Sequence, residues 1–366
     1  MMIGREQVLI SDRHRYVAHP HMARLADGSW VMIVTCGPRR AVTLHPPLDP
    51  EFINLQIRST DEGLTWSAPA PVPHYGAYGA ECSGLTALPD GGVLLNQWRF
   101  RWYPEDAAPS KREEPLLASA SELCEVLVGS PEFDNAESHA ISWCRGGGET
   151  TIWRSDDAGR HWENPVIVDT EPYSGAYGLR GGVVLDSGEV FIPFSDVPHY
   201  QRIFGCSSTD GGRSWSRPQP VAEAEGLWFE EPATLVCGGS RLLMLVRENS
   251  SRTLYSLHSD DGGRTWSTPV ATGMDSYPAH LLRLPDGRVA AVVGRRRGNG
   301  SILIYLSLDE GHTWDLSNPI VVAEQIGTID MGYPTAVVSR EGAIFVSYYR
   351  RDSDGVTGVV AKRVYL

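Results

Sequence analysis

The sequence predicts an all-β protein, and more narrowly a six-bladed β-propeller whose blades are four-stranded antiparallel sheets. Two repeated patterns within the 366 residues lead to this prediction. One is an eight-residue motif, S-x-D-x-G-x-x-W, and the other is a short glycine turn between two apolar, β-rich runs. Repeats on this scale indicate stacked β units, because each unit buries its apolar faces only against its neighbours.

The eight-residue motif has the chemistry of a tight turn. Its Asp can accept hydrogen bonds from nearby backbone amides, and its Gly supplies a positive φ. Its Trp can fill the space under the turn with a large apolar ring. The motif therefore predicts a structural turn between the two outer strands of a blade. It occurs five times, at residues 59–66, 155–162, 208–215, 259–266 and 307–314.

The glycine turns alternate with this motif and predict the hairpin between the two inner strands of each blade. In blades 3 to 5, 23 or 24 residues separate the hairpin from the Asp of the following motif. In the sixth unit the last strand-like run is residues 355–366, and no further run follows it. The last blade thus lacks a fourth strand, and residues 6–10 are predicted to supply it and close the ring. The turns are Asp27-Gly28, Asp90-Gly91, Ser187-Gly188, Gly238-Gly239, Asp286-Gly287 and Glu341-Gly342.

One segment does not fit the repeat. Residues 103–148 are polar and rich in turn-forming residues. They are interpreted as a loop inserted in blade 2, partly helical over residues 116–128. Because closure of the ring leaves no internal boundary, residues 1–366 are expected to form a single domain.

Composition narrows the functional class. A net charge of −13 argues against nucleic acid or an anionic membrane surface as partner. No apolar run is long enough to span a membrane, and the first residues lack the apolar core of a secretory signal. Six scattered cysteines without C-x-x-C spacing suggest reduced thiols. These features predict a cytoplasmic protein without metal or cofactor, and they leave its oligomeric state open.

Reactive side chains are concentrated where the first strand of each blade begins. In a propeller these positions converge around the central channel, on the face opposite the eight-residue motifs. Polar and aromatic groups there, in place of the usual apolar ones, suggest a binding site. They are His19 and His21 in blade 1, Tyr78 and Glu81 in blade 2, Arg180 in blade 3, Glu230 and Glu231 in blade 4, Tyr277 and His280 in blade 5, and Tyr333 in blade 6.

The eight-residue motif is the Asp box, and the chain resembles the sialidase (neuraminidase) superfamily. The run EEPATLVCGGSRLLMLVREN matches the blade 4 pattern of that family. The resemblance implies that Tyr333 is a nucleophile, that Glu231 is its base, and that Arg247 binds a substrate carboxylate. It also implies a further arginine in blade 5, a role that Arg295, Arg296 or Arg297 could fill, and Arg295 is taken as the candidate.

The chain departs from the family in blade 1. Sialidases begin that blade with Arg-Ile-Pro, whereas residues 18–20 here read Ala-His-Pro. The first carboxylate-binding arginine is therefore missing, and Arg180 is a candidate to replace it from another blade. The general acid of the family would correspond to Asp49, which is the only Asp between the first hairpin and the first Asp box. His19 and His21 are alternatives for this role, because imidazole titrates near neutral pH.

Together these observations predict an exo-acting glycoside hydrolase whose substrate is a glycan or glycoconjugate with a terminal acidic sugar. Sialic acid, a related 2-keto acid sugar and a uronic acid all stay open. One alternative is a polysaccharide lyase that uses His and Tyr on the same scaffold. Another is a glycan-binding propeller without catalysis. A metal site formed by His19, His21 and His280 with Glu81 or Glu231 is a weaker possibility, because H-x-H alone carries little information.

Overall fold

The protein is described by a computed structural model that covers residues 1–40, 48–73, 78–80, 82–119, 122, 143–328 and 330–366. These residues form six antiparallel sheets, and the innermost strands of successive sheets contact one another. The arrangement is the predicted six-bladed propeller.

Blades 1 to 3 follow the chain from the centre outward. Blade 1 consists of β3 (Arg15–Arg24), β4 (Trp30–Pro38), β5 (Ile53–Ser59) and β6 (Ala70–Pro71). Blade 2 has its inner strand in two pieces, β7 (Tyr78–Ala80) and β8 (Gly84–Ala87), followed by β9 (Val93–Pro104), β10 (Trp143–Ser155) and β11 (Val166–Ile167). Blade 3 likewise has β12 (Ala176–Tyr177) and β13 (Val183–Val184), then β14 (Val190–Asp196), β15 (Ile203–Ser208) and β16 (Gln219–Ala222).

Blades 4 to 6 have continuous inner strands. Blade 4 consists of β17 (Phe229–Gly238), β18 (Arg241–Glu248), β19 (Thr253–Ser259) and β20 (Val270–Ala271). Blade 5 consists of β21 (Ala279–Arg283), β22 (Val289–Arg295), β23 (Ser301–Ser307) and β24 (Ile320–Glu324). Blade 6 consists of β25 (Gly332–Val338), β26 (Ile344–Arg351) and β27 (Thr357–Tyr365), completed by β1 (Met2–Ile3) and β2 (Gln7–Ser11).

The ring closes as predicted. Strand β2 pairs antiparallel with β27, with Gln7 opposite Ala361 and Ser11 opposite Gly358. Strand β1 extends the same edge, which the sequence had not suggested. The phenol of Tyr348 also donates a hydrogen bond of 2.7 Å to Glu6. The two ends of the chain are therefore joined within one blade.

Each Asp box forms the predicted turn between the third and fourth strands. In the third copy, the Ser208 hydroxyl accepts from the Gly212 amide at 2.8 Å, and Asp210 accepts from the Ser214 amide at 2.9 Å. Gly212 has φ +90°, and the Trp215 indole donates to its carbonyl at 3.1 Å. All of these bonds lie within eight residues, so the sequence of the box is sufficient to specify its turn.

The insertion in blade 2 begins later than the sequence indicated. Strands β9 and β10 continue into it and pair Pro104 with Trp143, so residues 103–104 and 143–148 are strand rather than loop. Alternation explains the difference, because Trp98, Phe100 and Trp102 are buried on one face of β9. A short 3₁₀ helix, Glu105–Ala107, follows. Most of the helix predicted over residues 116–128 lies outside the described residues.

The apolar core lies between adjacent blades. For example, Leu243 and Leu245 of blade 4 pack in one cluster with Leu281 and Val293 of blade 5. Cys36, Cys82, Cys144, Cys206 and Cys237 are buried. Among the described residues, no helix has the length and apolar character needed to cross a membrane.

Candidate active site

Three residues at the start of inner strands share an unusual backbone conformation. His19, Glu231 and Tyr333 have φ of +50°, +53° and +46°, and each is followed by proline. The pairing register of the strand shifts at each of these positions. Positive φ is costly for residues other than glycine, and a following proline disfavours helical conformations further. Such strain persists only where the surroundings impose it, and it is concentrated at functional sites.

Tyr333 and Glu231 form the central contact. The phenol of Tyr333 donates a short hydrogen bond to Oε1 of Glu231. Both residues are buried, with exposed fractions of 7% and 2%. Burial, and then the neighbouring Glu231 carboxylate, raise the pKa of Tyr333 well above its usual range. The phenol therefore keeps its proton at neutral pH and presents it to a carboxylate that can accept it.

Arg247 holds the carboxylates of blade 4. Its Nη1 lies 3.0 Å from Oε1 of Glu230 and 3.2 Å from Oε2 of Glu231. Its guanidinium carbon lies 4.2 Å from the ring centroid of Tyr277. Burial, with a smaller contribution from Glu231, raises the pKa of Glu230. Although burial opposes it, the attraction of Glu230 and Glu231 raises the pKa of Arg247.

In blade 5 the arginine at the site is Arg296 and not the predicted Arg295. Arg295 is exposed and forms an ion pair with Asp275 at 3.1 Å. Arg296 is buried, and its guanidinium carbon lies 4.9 Å from the ring centroid of Tyr333. It donates to the Met331 carbonyl at 3.0 Å and to the Tyr349 hydroxyl at 3.3 Å. Neighbouring residues of an extended chain face opposite sides, so an error of one position reverses the direction of the side chain.

His19 lies against the nucleophile candidate. Its ring centroid is 4.6 Å from that of Tyr333 in a T-shaped arrangement and 5.0 Å from that of Tyr349. The hydroxyls of Tyr16 and Tyr349, whose rings also lie beside His19, both donate to Oδ1 of Asp330 at 2.9 Å. Sequence reasoning missed this carboxylate, because its partner Tyr16 is 314 residues away along the chain.

Arg180, His21 and His280 lie in the channel beneath the site. The Arg180 side chain, 3% exposed, donates to the carbonyls of Pro20, Ala279 and Pro334. The rings of His21 and His280 are 5.8 Å apart, and Nδ1 of His21 accepts from the Leu85 amide at 2.9 Å. Burial, reinforced by the Arg180 charge, lowers the pKa of His280 to about 3 and that of His21 well below its usual value. Both histidines are therefore neutral. The geometry directs the Arg180 donors to backbone groups, whereas the sequence had suggested a substrate carboxylate.

The remaining candidates have other partners or lie outside the described residues. Asp49 is buried and bound by the Arg40 guanidinium, and it accepts from the Glu51 amide at 3.0 Å. Tyr78 lies in β7 of blade 2, where its backbone pairs opposite Arg101. Glu81 lies outside the described residues. Within the described ranges, no group of three or more His, Cys, Asp or Glu residues is arranged to hold a metal ion.

The ring of Asp-box blades and the site on its opposite face define the class: a sialidase-like β-propeller. The chain belongs to the BNR repeat-like domain family, which matches residues 135–346. It is 26% identical over 194 residues to a sialidase of Micromonospora viridifaciens, a match that covers 44% of this chain and 30% of the relative. The chain thus spans less than a third of the length of that relative.

Solved structures share the whole fold. A protein of unknown function from Dyadobacter fermentans has a TM-score of 0.79 at 23% identity, covering 98% of this chain and 97% of the other. The NanB sialidase of Streptococcus pneumoniae has a TM-score of 0.71 at 13% identity, covering 97% of this chain and 70% of the other. At these identities the similarity establishes the architecture.

Proposed function

We propose that the protein is an exo-acting glycosidase for a terminal acidic sugar, with Tyr333 as nucleophile and Glu231 as its base. The observation that carries this proposal is the buried hydrogen bond from the Tyr333 phenol to the Glu231 carboxylate. The sialidase relative supports the same class of chemistry.

The pair explains how a tyrosine can attack. Burial raises the pKa of Tyr333 well above its usual range, so a base must take the proton during attack. As the phenolic oxygen bonds to the anomeric carbon, its proton passes to Glu231. The bond from that carbon to the leaving oxygen breaks, and the leaving oxygen takes a proton from a general acid. Water then attacks the anomeric carbon and gives a proton to the deprotonated general acid, while the bond from that carbon to the tyrosine breaks and the phenolic oxygen recovers its proton from Glu231.

Two arginines support an acidic substrate. Arg247 and Arg296 both approach the Tyr277 ring, Arg296 also approaches the Tyr333 ring, and both charges act on the Tyr333 phenol. Arg247 is already paired with Glu230 and Glu231. Because burial raises the pKa of Glu230, protonation of Glu230 would remove one of the two carboxylates that neutralise Arg247 and leave part of its positive charge for the carboxylate of a substrate.

For the general acid we favour His19 over Asp49. The His19 ring is 4.6 Å from the Tyr333 ring, whereas Asp49 is held by Arg40 and the Glu51 amide. His19 also stands beside the position of the family's missing first arginine, so it supplies a titratable group in place of a fixed cation.

A panel of aryl glycosides of sialic acid, other 2-keto acid sugars and hexuronic acids tests this function. We expect one acidic class to release the aryl alcohol, and Glu231→Gln to lower kcat by at least about 10²-fold, the usual size of a lost general base. Exposed Glu163→Gln is the matched control and should leave kcat unchanged.

Two outcomes would reject the proposal. Accumulation of an unsaturated uronate, detected by its ultraviolet absorbance, would indicate the lyase. Binding of an acidic sugar without turnover, unchanged by Glu231→Gln, would indicate a glycan-binding propeller.

A further inference from the structure

One side chain joins four blades at the centre of the ring. Arg180 belongs to blade 3, and its guanidinium donates to carbonyls of three other blades. Nε reaches Ala279 of blade 5 at 3.1 Å, Nη1 reaches Pro20 of blade 1 at 3.3 Å, and Nη2 reaches Pro334 of blade 6 at 2.7 Å. These bonds engage all three nitrogen atoms of a planar fork whose geometry lysine cannot reproduce.

Two of these carbonyls belong to the residues that directly follow the site. Pro20 follows His19, and Pro334 follows Tyr333. His19 and Tyr333 have φ of +50° and +46°, a backbone conformation that is disfavoured for a residue followed by proline. Backbone strain of this kind needs support from elsewhere in the structure. The hydrogen bonds from Arg180 provide this support at the carbonyls of Pro20 and Pro334, one residue after His19 and Tyr333.

The charge of Arg180 is also unusual, because its donors meet carbonyls rather than carboxylates. Burial lowers the pKa of Arg180 to about 10, with the Glu231 charge opposing this effect, so the group remains a cation at neutral pH. Burying a charge in this way is expensive unless its hydrogen bonds are satisfied. A neutral side chain would fill the channel at a lower cost in desolvation free energy. This suggests that the planar arrangement of the three donors and the positive charge both have a role.

We propose that Arg180 is a positioning residue, which holds His19 and Tyr333 in their left-handed backbone conformations and so aligns Tyr333 with Glu231. It acts through the carbonyls of Pro20 and Pro334 and does not contact the substrate. The inference rests on the proposed function only for its kinetic test, since the alignment itself is a structural property.

The kinetic test compares Arg180→Lys and Arg180→Met with the unchanged protein. Both variants should lower kcat by about 10- to 100-fold, because small displacements of reacting groups have effects of this size. KM should change by less than about threefold, since uniform binding of substrate is retained. The Met variant should also move the acidic limb of the kcat–pH profile to higher pH, because the buried cation that favours ionised carboxylates is gone. The Lys variant should not.

Gln56→Met is the matched control for lost stability. Gln56 donates a buried hydrogen bond between blades, at 2.9 Å to the Gly159 carbonyl on the Asp-box face. Its loss should lower the melting temperature and leave kcat within about twofold, as expected for a site remote from the reacting groups. All rates are measured well below the lowest melting temperature of the series.

A crystal structure of Arg180→Lys provides a readout that needs no substrate. We expect altered φ at His19 or Tyr333 and a longer distance between the Tyr333 hydroxyl and Glu231. If the unchanged protein turns over no acidic sugar, the proposed function fails while this structural result still decides the inference. Unaltered site geometry, unchanged kcat, or a rise in KM alone would overturn it, the last by showing direct substrate binding. Failure of both variants to fold would also overturn it, because Arg180 would then serve the fold as a whole.

Discussion

The two faces of the propeller hold residues in the same left-handed region by different means. In the second Asp box, Ala158 has φ +62°, and the neighbouring Gly159 amide is bound by the Ser155 hydroxyl at 2.8 Å. On the opposite face, Glu231 has φ +53°, and its amide is bound by the Ser195 hydroxyl of another blade at 2.9 Å. The support comes from the same turn in one case and from the neighbouring blade in the other.

This difference separates stability from function. The turn of each box is held by bonds within eight residues, and contacts such as that between Trp266 and Phe191 then join the box to the neighbouring blade. The conformation of the site depends on contacts between blades, through Ser195 for Glu231 and through Arg180 for His19 and Tyr333. We therefore expect substitutions on the two faces to have opposite consequences.

The largest contrast is expected between Tyr333→Phe and Trp266→Ala. Tyr333→Phe removes the attacking oxygen and should lower the rate by at least about 10³-fold, while the lost hydrogen bond costs only about 1 kcal/mol of stability. Trp266, in the fourth Asp box, packs against Phe191 of blade 3. Its truncation should cost about 3 kcal/mol and leave kcat of the folded protein unchanged. Chemical denaturation and steady-state kinetics on both variants make the comparison.

Tyr173→Phe is the control for the hydroxyl, because Tyr173 stacks on Phe204 at 4.1 Å in blade 3 and has no part in the proposed reaction. A Tyr333→Phe protein that retained half of its activity would eliminate Tyr333 as the nucleophile. A Trp266→Ala protein that was stable but inactive would place the Asp boxes at the site.

The same contrast explains which features could be predicted from the sequence. The Asp boxes, the blade order and the closing strand depend on local spacing, and all were predicted. The meeting of Tyr333 with Glu231 and Arg247 followed from the position of each residue at the start or end of an inner strand. These positions depend only on topology, so the repeat alone brings them together.

Features that depend on a single residue of register or on distant partners could not be predicted. Arg295 was chosen where Arg296 faces the site, since no pattern in residues 295–297 shows which side each takes. Asp330 was not recognised because its partners, Tyr16 and Tyr349, belong to different blades. Arg180 was assigned to the substrate because its three carbonyl acceptors carry no signal in the sequence.

The channel and the Asp boxes also differ in the pH range over which they lose stability. The pKa of His280 is lowered by burial to about 3, so between pH 6.5 and 3 the unfolded chain binds a proton that the folded protein rejects. Stability that is fully present above pH 6.5 is therefore lost as pH falls, by about 1.4 kcal/mol per pH unit for this histidine. Hydrogen bonds of the box carboxylates, which outweigh their burial, lower the pKa of Asp210 and Asp261 to about 2. These carboxylates stabilise the fold until the pH falls below about 3.8.

Denaturant unfolding of the unchanged protein and of His280→Gln between pH 7.5 and 4.5 measures the channel contribution. The difference between the two stabilities should grow as pH falls, because glutamine preserves a hydrogen-bond donor and does not titrate. The neighbouring groups His21 and Arg180 are present in both proteins. Parallel pH dependences would show that His280 does not titrate as its burial indicates.

The smallest expected effects provide the most closely matched comparison. Ser208 and Ser195 each accept a backbone amide hydrogen bond, from Gly212 at 2.8 Å and from Glu231 at 2.9 Å, and Ser208 also donates to Asp210 at 2.8 Å. Replacing either by Ala should cost about 1 to 2 kcal/mol of stability, as expected for the loss of one or two buried hydrogen bonds. Only Ser195→Ala should also lower kcat, by about tenfold, because Glu231 loses the bond that holds its backbone. Equal stabilities with unequal kcat would show that the same bond supports only the fold on one face and the reacting groups on the other. Equal kcat in both variants would mean that the conformation of Glu231 does not depend on Ser195, and the comparison between the two faces would then fail for blade 4.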